Sequence, residues 1–341
     1  MKIIVVMPVK NEEWILEKSL KAISLFADHI IVADQNSTDR SVDICRQFKK
    51  VIVIKNPNKF HTSSVRLLLL NAARDFDGYN AIFSFDADEI PTTHILEPDF
   101  LEKLKELTPG SSFTFQWINL WRSSLKYRKD KSVWANSWKH FGFIDDRKAD
   151  YNTLNVINDD TSRVPLSVLN NNFKFEFPKV LHYQFSNWDR TLSKQARYRI
   201  AEFIQRKKSL FNIIKINFKY FPTKDERSLV LEDIPREWIN FYKEKGNDLE
   251  NFPKSDFYWF DEEILQNFKQ YKTEYFKWLD IWDIDWERKR QLTIEKDIKD
   301  LPENKIKDPR SFYIKFYHKH LQPLLSYNSF LYKIYRILKN S

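Results

Sequence analysis

The chain is poor in glycine and nearly devoid of cysteine. Only 4 of its 341 residues are Gly, and the first is Gly78. A phosphate-cradling loop of the dinucleotide or Walker type needs glycines directly after the first strand, so neither can form at this N-terminus. The single Cys45 excludes a disulfide scaffold and a cysteine zinc site, and it suits a reducing compartment. No apolar run approaches the roughly 20 residues that a membrane-spanning helix requires. The start, MKIIVVMPVKNEE, lacks a signal-peptide cleavage pattern, and a cytoplasmic protein is expected. The net charge of +9 comes without any nucleic-acid-binding motif, so nucleic acid is not an expected partner.

Aromatic and charged residues are plentiful. There are 28 Phe, 15 Tyr and 11 Trp, which suggests aromatic-rich packing and stacking platforms for sugars or bases. The basic excess is compatible with phosphates or an anionic membrane surface. At 341 residues, with 42% hydrophobic, the chain can bury a core and divide into about two domains of roughly 150 residues.

The first hundred residues alternate between short apolar runs and amphipathic stretches. Strands are predicted over Ile3–Met7, Ile30–Ala33, Val51–Ile54 and Ala81–Phe85. Helices are predicted over Glu12–Ser24, Ser41–Phe48 and Ser64–Ala73. This alternation builds a parallel sheet by right-handed crossovers, so residues 1 to about 90 are expected to be doubly wound α/β. Beyond Asp88 the pattern changes. A helix is predicted near Pro98–Leu107 and strands over Ser112–Trp121 and Val133–Trp138. The segment to about Tyr183 is mixed, and the chain is mostly helical from Thr191 onward.

Ligands of an open parallel sheet bind beyond the carboxyl ends of its strands. Three polar clusters fall there: Pro8-Val9-Lys10-Asn11-Glu12-Glu13, Asp34-Gln35-Asn36-Ser37-Thr38-Asp39 and Asp86-Ala87-Asp88-Glu89. Two carboxylates two residues apart at a strand end can reach one hard divalent cation, Mg²⁺ or Mn²⁺. Such a cation stabilises a leaving diphosphate.

The succession MPVKNEEWILEKSL, HIIVADQNSTDRSVDIC, Arg66 on a helix and IFSFDADEIP resembles the nucleotide-sugar half of the family 2 glycosyltransferases. These have the GT-A fold, and the likeness is greatest to the bacterial branch acting on lipopolysaccharide or other cell-surface glycans. It covers about residues 1–95 and continues more weakly through VLHYQFSNWDRTLSKQARYR and DIWDIDW. The resemblance implies a GT-A type, Rossmann-like sheet with a mostly helical C-terminal part. Residues 1–95 would be the nucleotide-sugar half, 96–208 the acceptor half, and 209–341 a helical region with a basic amphipathic tail. It implies an inverting, metal-dependent transfer from a nucleotide sugar, a UDP-sugar first, to a hydroxyl of a glycan or lipid-linked acceptor. Pro8, Val9 and Asn11 would line the nucleotide, with Glu12 near the ribose or base. Asp34 would accept from the base, although Gln35 and Asn36 depart from the usual Asp-Asp-Gly-Ser. Asn tolerates a left-handed backbone, so that turn can survive. Arg66 would reach the pyrophosphate, with Asp86 and Asp88 as the ribose- and metal-binding pair.

His182 ends the run Val180-Leu181-His182 and precedes a helix with Lys194 and Arg197 on one face. A histidine can complete a Mn²⁺ sphere, as the family often arranges at such a late position, and the two cations could hold a diphosphate. The plain alternative is a hydrogen-bonded structural histidine beside solvated basic residues. For the catalytic base the family's acidic pair is matched nearest by Asp145 and Asp146, in Phe141-Gly142-Phe143-Ile144-Asp145-Asp146. Asp159, Asp160 and Glu176 compete, and a solvated turn is the plain alternative. Trp and Tyr residues from Trp117 to Trp138 could stack on an acceptor sugar or fill the core. Cys45 is expected to be packing.

Residues 309–341 hold six Lys or Arg and no Asp or Glu, with Leu331, Ile334, Tyr335 and Leu338 opposite Lys333, Arg336 and Lys339. Such a tail could lie peripherally on the anionic cytoplasmic face of the inner membrane or pack on the protein. A sugar-phosphate nucleotidyltransferase would share the sheet and metal logic but carries a Gly-rich loop after its first strand. A catalytically inactive glycan-binding homologue would have no need of intact Asp34, Asp86 and Asp88.

Overall fold

The computed structural model describes residues 1–57, 64–132, 134–151, 162–206, 209–220, 229–295, 298 and 301–325. The chain opens with β1 (Ile3–Val9), α1 (Glu13–Ile23), β2 (His29–Asp34), α2 (Ser41–Arg46), β3 (Val51–Lys55), α3 (Ser64–Ala73) and β4 (Ala81–Ser84). It continues with β5 (Glu89–Pro91), α4 (Pro98–Glu106), β6 (Ser112–Asn119), β7 (Lys126–Arg128), β8 (Ser137–Ile144), β9 (Asn172–Lys174) and β10 (Val180–His182). Then come α5 (Trp188–Gln205), α6 (Leu210–Tyr220), β11 (Leu231–Asp233), α7 (Asn240–Glu244), α8 (Trp259–Tyr271), α9 (Trp286–Glu295) and α10 (Phe312–Phe316).

The fold is α/β of the expected type. Strands run in the order β3-β2-β1-β4-β8-β6-β10-β5, with β9 beside β6. The first four are mutually parallel, whereas β8 pairs antiparallel with both β4 and β6. The apolar runs of β1, β2 and β4 are buried on both faces because helices cover both, as parallel crossovers require. On one face α1 and α4 contribute Leu16, Leu20, Ile23, Phe100 and Leu104 to a core with Val5, Phe83, Phe113 and Phe115. On the other, Val65, Leu69 and Leu70 of α3 pack on Ile4, Val6, Ile31 and Ile82. Cys45 is part of the first core, and burial pushes its thiol up to about 12, so it is packing and not a nucleophile.

Several strands beyond Asp88 differ from the sequence expectation. The strand anticipated at Val133–Trp138 begins instead at Ser137. Ahead of it, turns are held by Ser132 N–H donating to Asp130 Oδ1 (2.7 Å) and Ala135 N–H to the Ser132 carbonyl (3.1 Å). The short β5 and β10 were not anticipated. β5 is an edge strand, the sheet position that tolerates its Pro91.

By compactness the described chain forms two units: Met1–Ser186 with Val230–Pro253, and Asn187–Leu229 with Lys254–Ser341. In the second unit α5 packs on α6 and α8 around Ile200, Phe203, Ile264, Leu265, Phe268, Trp282 and Trp286. Asn187 caps α5, its side chain accepting from Arg190 N–H at 3.1 Å. Among the described residues no helix is long and apolar enough to cross a membrane. The tail residues Leu331 to Lys339 lie outside the described residues.

Gly142 of β8 pairs with Phe83 of β4 and Phe113 of β6 and leaves no room for a side chain. A Cβ built there would lie 2.3 Å from Phe113 Cζ and 2.4 Å from the Ile82 carbonyl oxygen. Gly142→Ala is therefore expected to destabilise the protein by about 3 kcal/mol, with an unchanged m-value in urea unfolding.

Candidate functional site

The carboxyl ends of β1, β2 and β4 form one rim, and the first two loops are tied to each other. Asn11 and Asn36 both take left-handed backbone, at φ 53° and 52°, as asparagine can. Asn11 N–H donates to Ser37 Oγ (3.0 Å), and Asn11 Oδ1 accepts from Thr38 N–H (2.7 Å). Glu12 N–H donates to Ser41 Oγ at 2.9 Å, and the Glu12 carboxylate accepts from Trp14 Nε1 at 2.6 Å. Pro8 and Val9 stand opposite Ala33 and Asp34 in register. The Asp34 oxygens accept from Ser37 N–H at 3.2 and 3.3 Å, so this carboxylate shapes its own turn.

At the end of β4 the acidic cluster meets two arginines. Arg66, buried on α3, donates to Ser84 Oγ (2.7 Å) and Asp86 Oδ1 (3.2 Å). Arg163 donates to Asp86 Oδ2 (2.9 Å) and to both oxygens of Glu89 (2.6 and 2.7 Å), and its guanidinium lies 5.0 Å from the Phe141 ring centroid. Glu89 is 0% exposed. Burial raises its carboxyl well above the usual range; Arg163 opposes this, and Asp86 and Asp88 add to it. Burial also works against the Arg163 charge, but Asp86 and Glu89 outweigh it and hold the guanidinium protonated. Neither Glu89 nor Arg163 was identified from the sequence as a site residue. Glu89 could have been, as the third acid of its run, whereas nothing local marks Arg163.

His182 is brought to Asp88 by strand pairing. β10 pairs antiparallel with β5, which places His182 opposite Glu89, and Tyr183 N–H donates to the Asp88 carbonyl at 2.8 Å. His182 Nε2 faces Asp88 Oδ1 at 3.8 Å, and both side chains are buried. The imidazole stacks on Trp117, with centroids 4.2 Å apart at 24°, and meets Phe185 edge-on. Trp121 stacks on Phe185 and Trp134 meets it edge-on, so the aromatics after β6 cluster beside His182. Among the described residues no three His, Cys, Asp or Glu side chains form a metal cage, because Asp86 is turned to its arginines.

Asp145 and Asp146 are not brought to this rim. They follow β8, whose antiparallel course sets Ile144 opposite Ala81, the first residue of β4. Asp145 N–H donates to the Asn80 carbonyl (2.9 Å), and its carboxylate is gripped by Arg74 Nε (2.9 Å) and Nη2 (2.7 Å). Asp146 Oδ1 accepts from Lys148 N–H and Ala149 N–H, and these backbone bonds, against a desolvation cost, hold its carboxyl below the usual range. Arg66 lies on α3 and Arg74 directly follows its last residue, about 12 Å further along the helix axis at 1.5 Å per residue. One binds Asp86 and the other Asp145, so the two carboxylates mark opposite rims. Of the competing acids, Asp159 and Asp160 lie outside the described residues, and Glu176 is exposed in the turn before β10. Lys194 and Arg197 belong to α5 of the helical unit, where Arg197 pairs with Glu263 and lies over the Trp259 ring at 4.7 Å.

The Glu89–Arg163 pair makes a stability prediction. Removing one partner of a buried pair strands the other charge, so Arg163→Met should cost about 3–5 kcal/mol in urea unfolding. Adding Glu89→Gln to that variant should return part of the loss.

Residues 4–161 match the family model described as Glycosyl transferase family 2. No curated protein matches the chain. Among solved structures the chain is similar to S. aureus TarS 1–349, at 11% identity over 90% of this chain and 98% of that one, with a TM-score of 0.39. Against a longer S. aureus TarS chain the identity is 12%, covering 67% of this chain and 44% of that one, with a TM-score of 0.38. It is also similar to glucosyl-3-phosphoglycerate synthase from Mycobacterium tuberculosis in complex with Mn²⁺, UDP and glucosyl-3-phosphoglycerate. There the identity is 21%, over 35% of this chain and 44% of that one, with a TM-score of 0.27. The chain thus spans less than half the length of the longer TarS chain and of the synthase. The stretch that carries this rim, residues 4–161, is thus similar to the family 2 glycosyltransferases.

Proposed function

We propose that the protein transfers a sugar from a nucleotide sugar, a UDP-sugar first, to a hydroxyl of a glycan or lipid-linked acceptor, with the nucleotide on the rim of β1, β2 and β4. The observation that carries the reading is the facing of Asp88 Oδ1 and His182 Nε2 across 3.8 Å at this rim. Metal–ligand bonds of about 2.0–2.2 Å span such a gap; the carboxylate suits either Mn²⁺ or Mg²⁺, and the imidazole nitrogen favours Mn²⁺ of the two.

In this reading Asp88 and His182 hold the divalent cation, which when bound supplies charge neutralisation of the leaving diphosphate. Pro8, Val9 and Asn11 border the base and ribose, with Glu12 and Asp34 shaping the two loops. Arg66 adds positive charge beside Asp86, where the diphosphate is to lie. The aromatic cluster of Trp117, Trp121, Trp134 and Phe185 borders the acceptor side. An inverting displacement forms a bond from the acceptor oxygen to the anomeric carbon and breaks the bond to the diphosphate. A carboxylate takes the acceptor proton, worth about 10²–10⁴-fold in rate. Asp145 and Asp146 lie on the other rim, so that role passes to Asp160, one of the competing acids.

A thermal-shift panel of UDP-, GDP- and dTDP-sugars with and without Mn²⁺ tests the donor. A ligand at a hundred times its dissociation constant adds about 2.7 kcal/mol. The expected result is a Mn²⁺-dependent shift with one nucleotide class that is lost in Asp88→Asn. Nucleotide-sugar binding and turnover that are indifferent to chelator sink the metal-dependent reading.

The base is tested by rate. Asp160→Asn should lower transfer by at least two decades with nucleotide affinity retained. Asp146→Asn should stay within threefold of wild type, and a loss of two decades there returns the base to the Asp145-Asp146 pair.

A further inference from the structure

Asn119 stands behind His182, and its amide has one orientation open to it. Asn119 Nδ2 donates to the Trp134 carbonyl at 2.7 Å, and a carbonyl can only accept. The other end of the amide, Oδ1, therefore faces His182 Nδ1, at 2.8 Å. An acceptor at that distance requires the proton to be on Nδ1. The proton is thus on Nδ1, and in the neutral ring Nε2 turns a lone pair toward Asp88 Oδ1. A divalent cation between these two atoms would meet a nitrogen and an oxygen donor.

Asn119 is placed for this by the sheet. It ends β6 directly opposite His182 in the parallel β6–β10 register, and Leu120 N–H donates to the His182 carbonyl at 3.1 Å. Asn119 is 2% exposed. Trp117 on one ring face and Phe185 at the edge resist the flip that would exchange the two nitrogens. We propose that Asn119 is a positioning residue: its side-chain carbonyl fixes the His182 tautomer and so preforms, with Asp88, a nitrogen–oxygen pair for a divalent cation. This rests on the cation reading of the same rim. Neither the charge nor the size of Asn119 is used directly; it acts through the ring it orients. Metal-bound histidines depend on such partners, whose loss costs about 10–100-fold in affinity.

The test uses the full chain labelled with ¹⁵N-histidine, without metal, the His182 signals being those lost in His182→Gln. The expected wild-type spectrum has a protonated Nδ1 and an unprotonated Nε2 at His182. Asn119→Leu, which removes the acceptor, should move the proton to Nε2. It should also weaken Mn²⁺ binding in the presence of UDP by about 10–100-fold, read from the free Mn²⁺ signal by electron paramagnetic resonance. Asn119→Asp keeps an acceptor and should rescue both, while UDP binding without Mn²⁺ stays unchanged throughout. A wild-type His182 carrying its proton on Nε2 overturns the proposal, and needs no variant to fold. So does wild-type Mn²⁺ affinity in Asn119→Leu. Mn²⁺ affinity unmoved by both Asp88→Asn and His182→Gln overturns the cation reading beneath it. That failure is recognisable because the tautomer still responds to Asn119→Leu.

Discussion

The arrangement of the whole rim depends on neutralising the carboxylates at the end of β4. Asp86, Asp88 and Glu89 follow a buried strand, and Glu89 is wholly enclosed. Taking a carboxylate out of water costs several kcal/mol, which only a well-formed partner returns. Arg163 supplies that partner with two bonds to Glu89, and it shares Asp86 with Arg66. Two cations thereby hold two anions, and Asp88 faces His182 instead. The turn after β4 is thus shaped by charge pairing as much as by backbone preference.

Helix α3 sets the scale of the sheet. Its beginning carries Arg66 to the carboxyl rim of the parallel strands, and just past its end Arg74 grips Asp145 at the amino rim. The same rule of pairing a carboxylate with an arginine therefore serves opposite ends, the Asp86 cluster at one and the turn of Asp145 at the other. An acidic pair is informative only once its rim is known.

The aromatic richness of the chain has two outlets. Phe83, Phe85, Phe113, Phe115 and Phe141 interlock inside the sheet core, with ring centroids about 5–6 Å apart as edge and offset contacts prefer. Trp117 and Phe185 instead bracket His182, and Trp121 and Trp134 lean on Phe185. The first group is packing. The second brackets a buried polar ring, whose Nδ1 meets the Asn119 amide oxygen at 2.8 Å.

The sequence by itself determined the parallel α/β half and the polar clusters on its rim. Apolar periodicity and strand–helix alternation are local properties, and right-handed crossovers put every carboxyl end of β1 to β4 on the same side. Asn36 could likewise be read as a left-handed turn residue from its side chain alone. The tertiary structure alone decided the layout beyond Asp88. Whether a later strand runs parallel or antiparallel chooses the rim its end will reach, and no local pattern encodes that direction. So Asp145, at the end of the antiparallel β8, falls on the far rim, while His182, at the end of β10, arrives beside Asp88. Arg163 and Asn119 were invisible for the same reason. Their roles come from hydrogen bonds to residues far away in the chain, which exist only once the strand register has brought donor and acceptor within 3 Å.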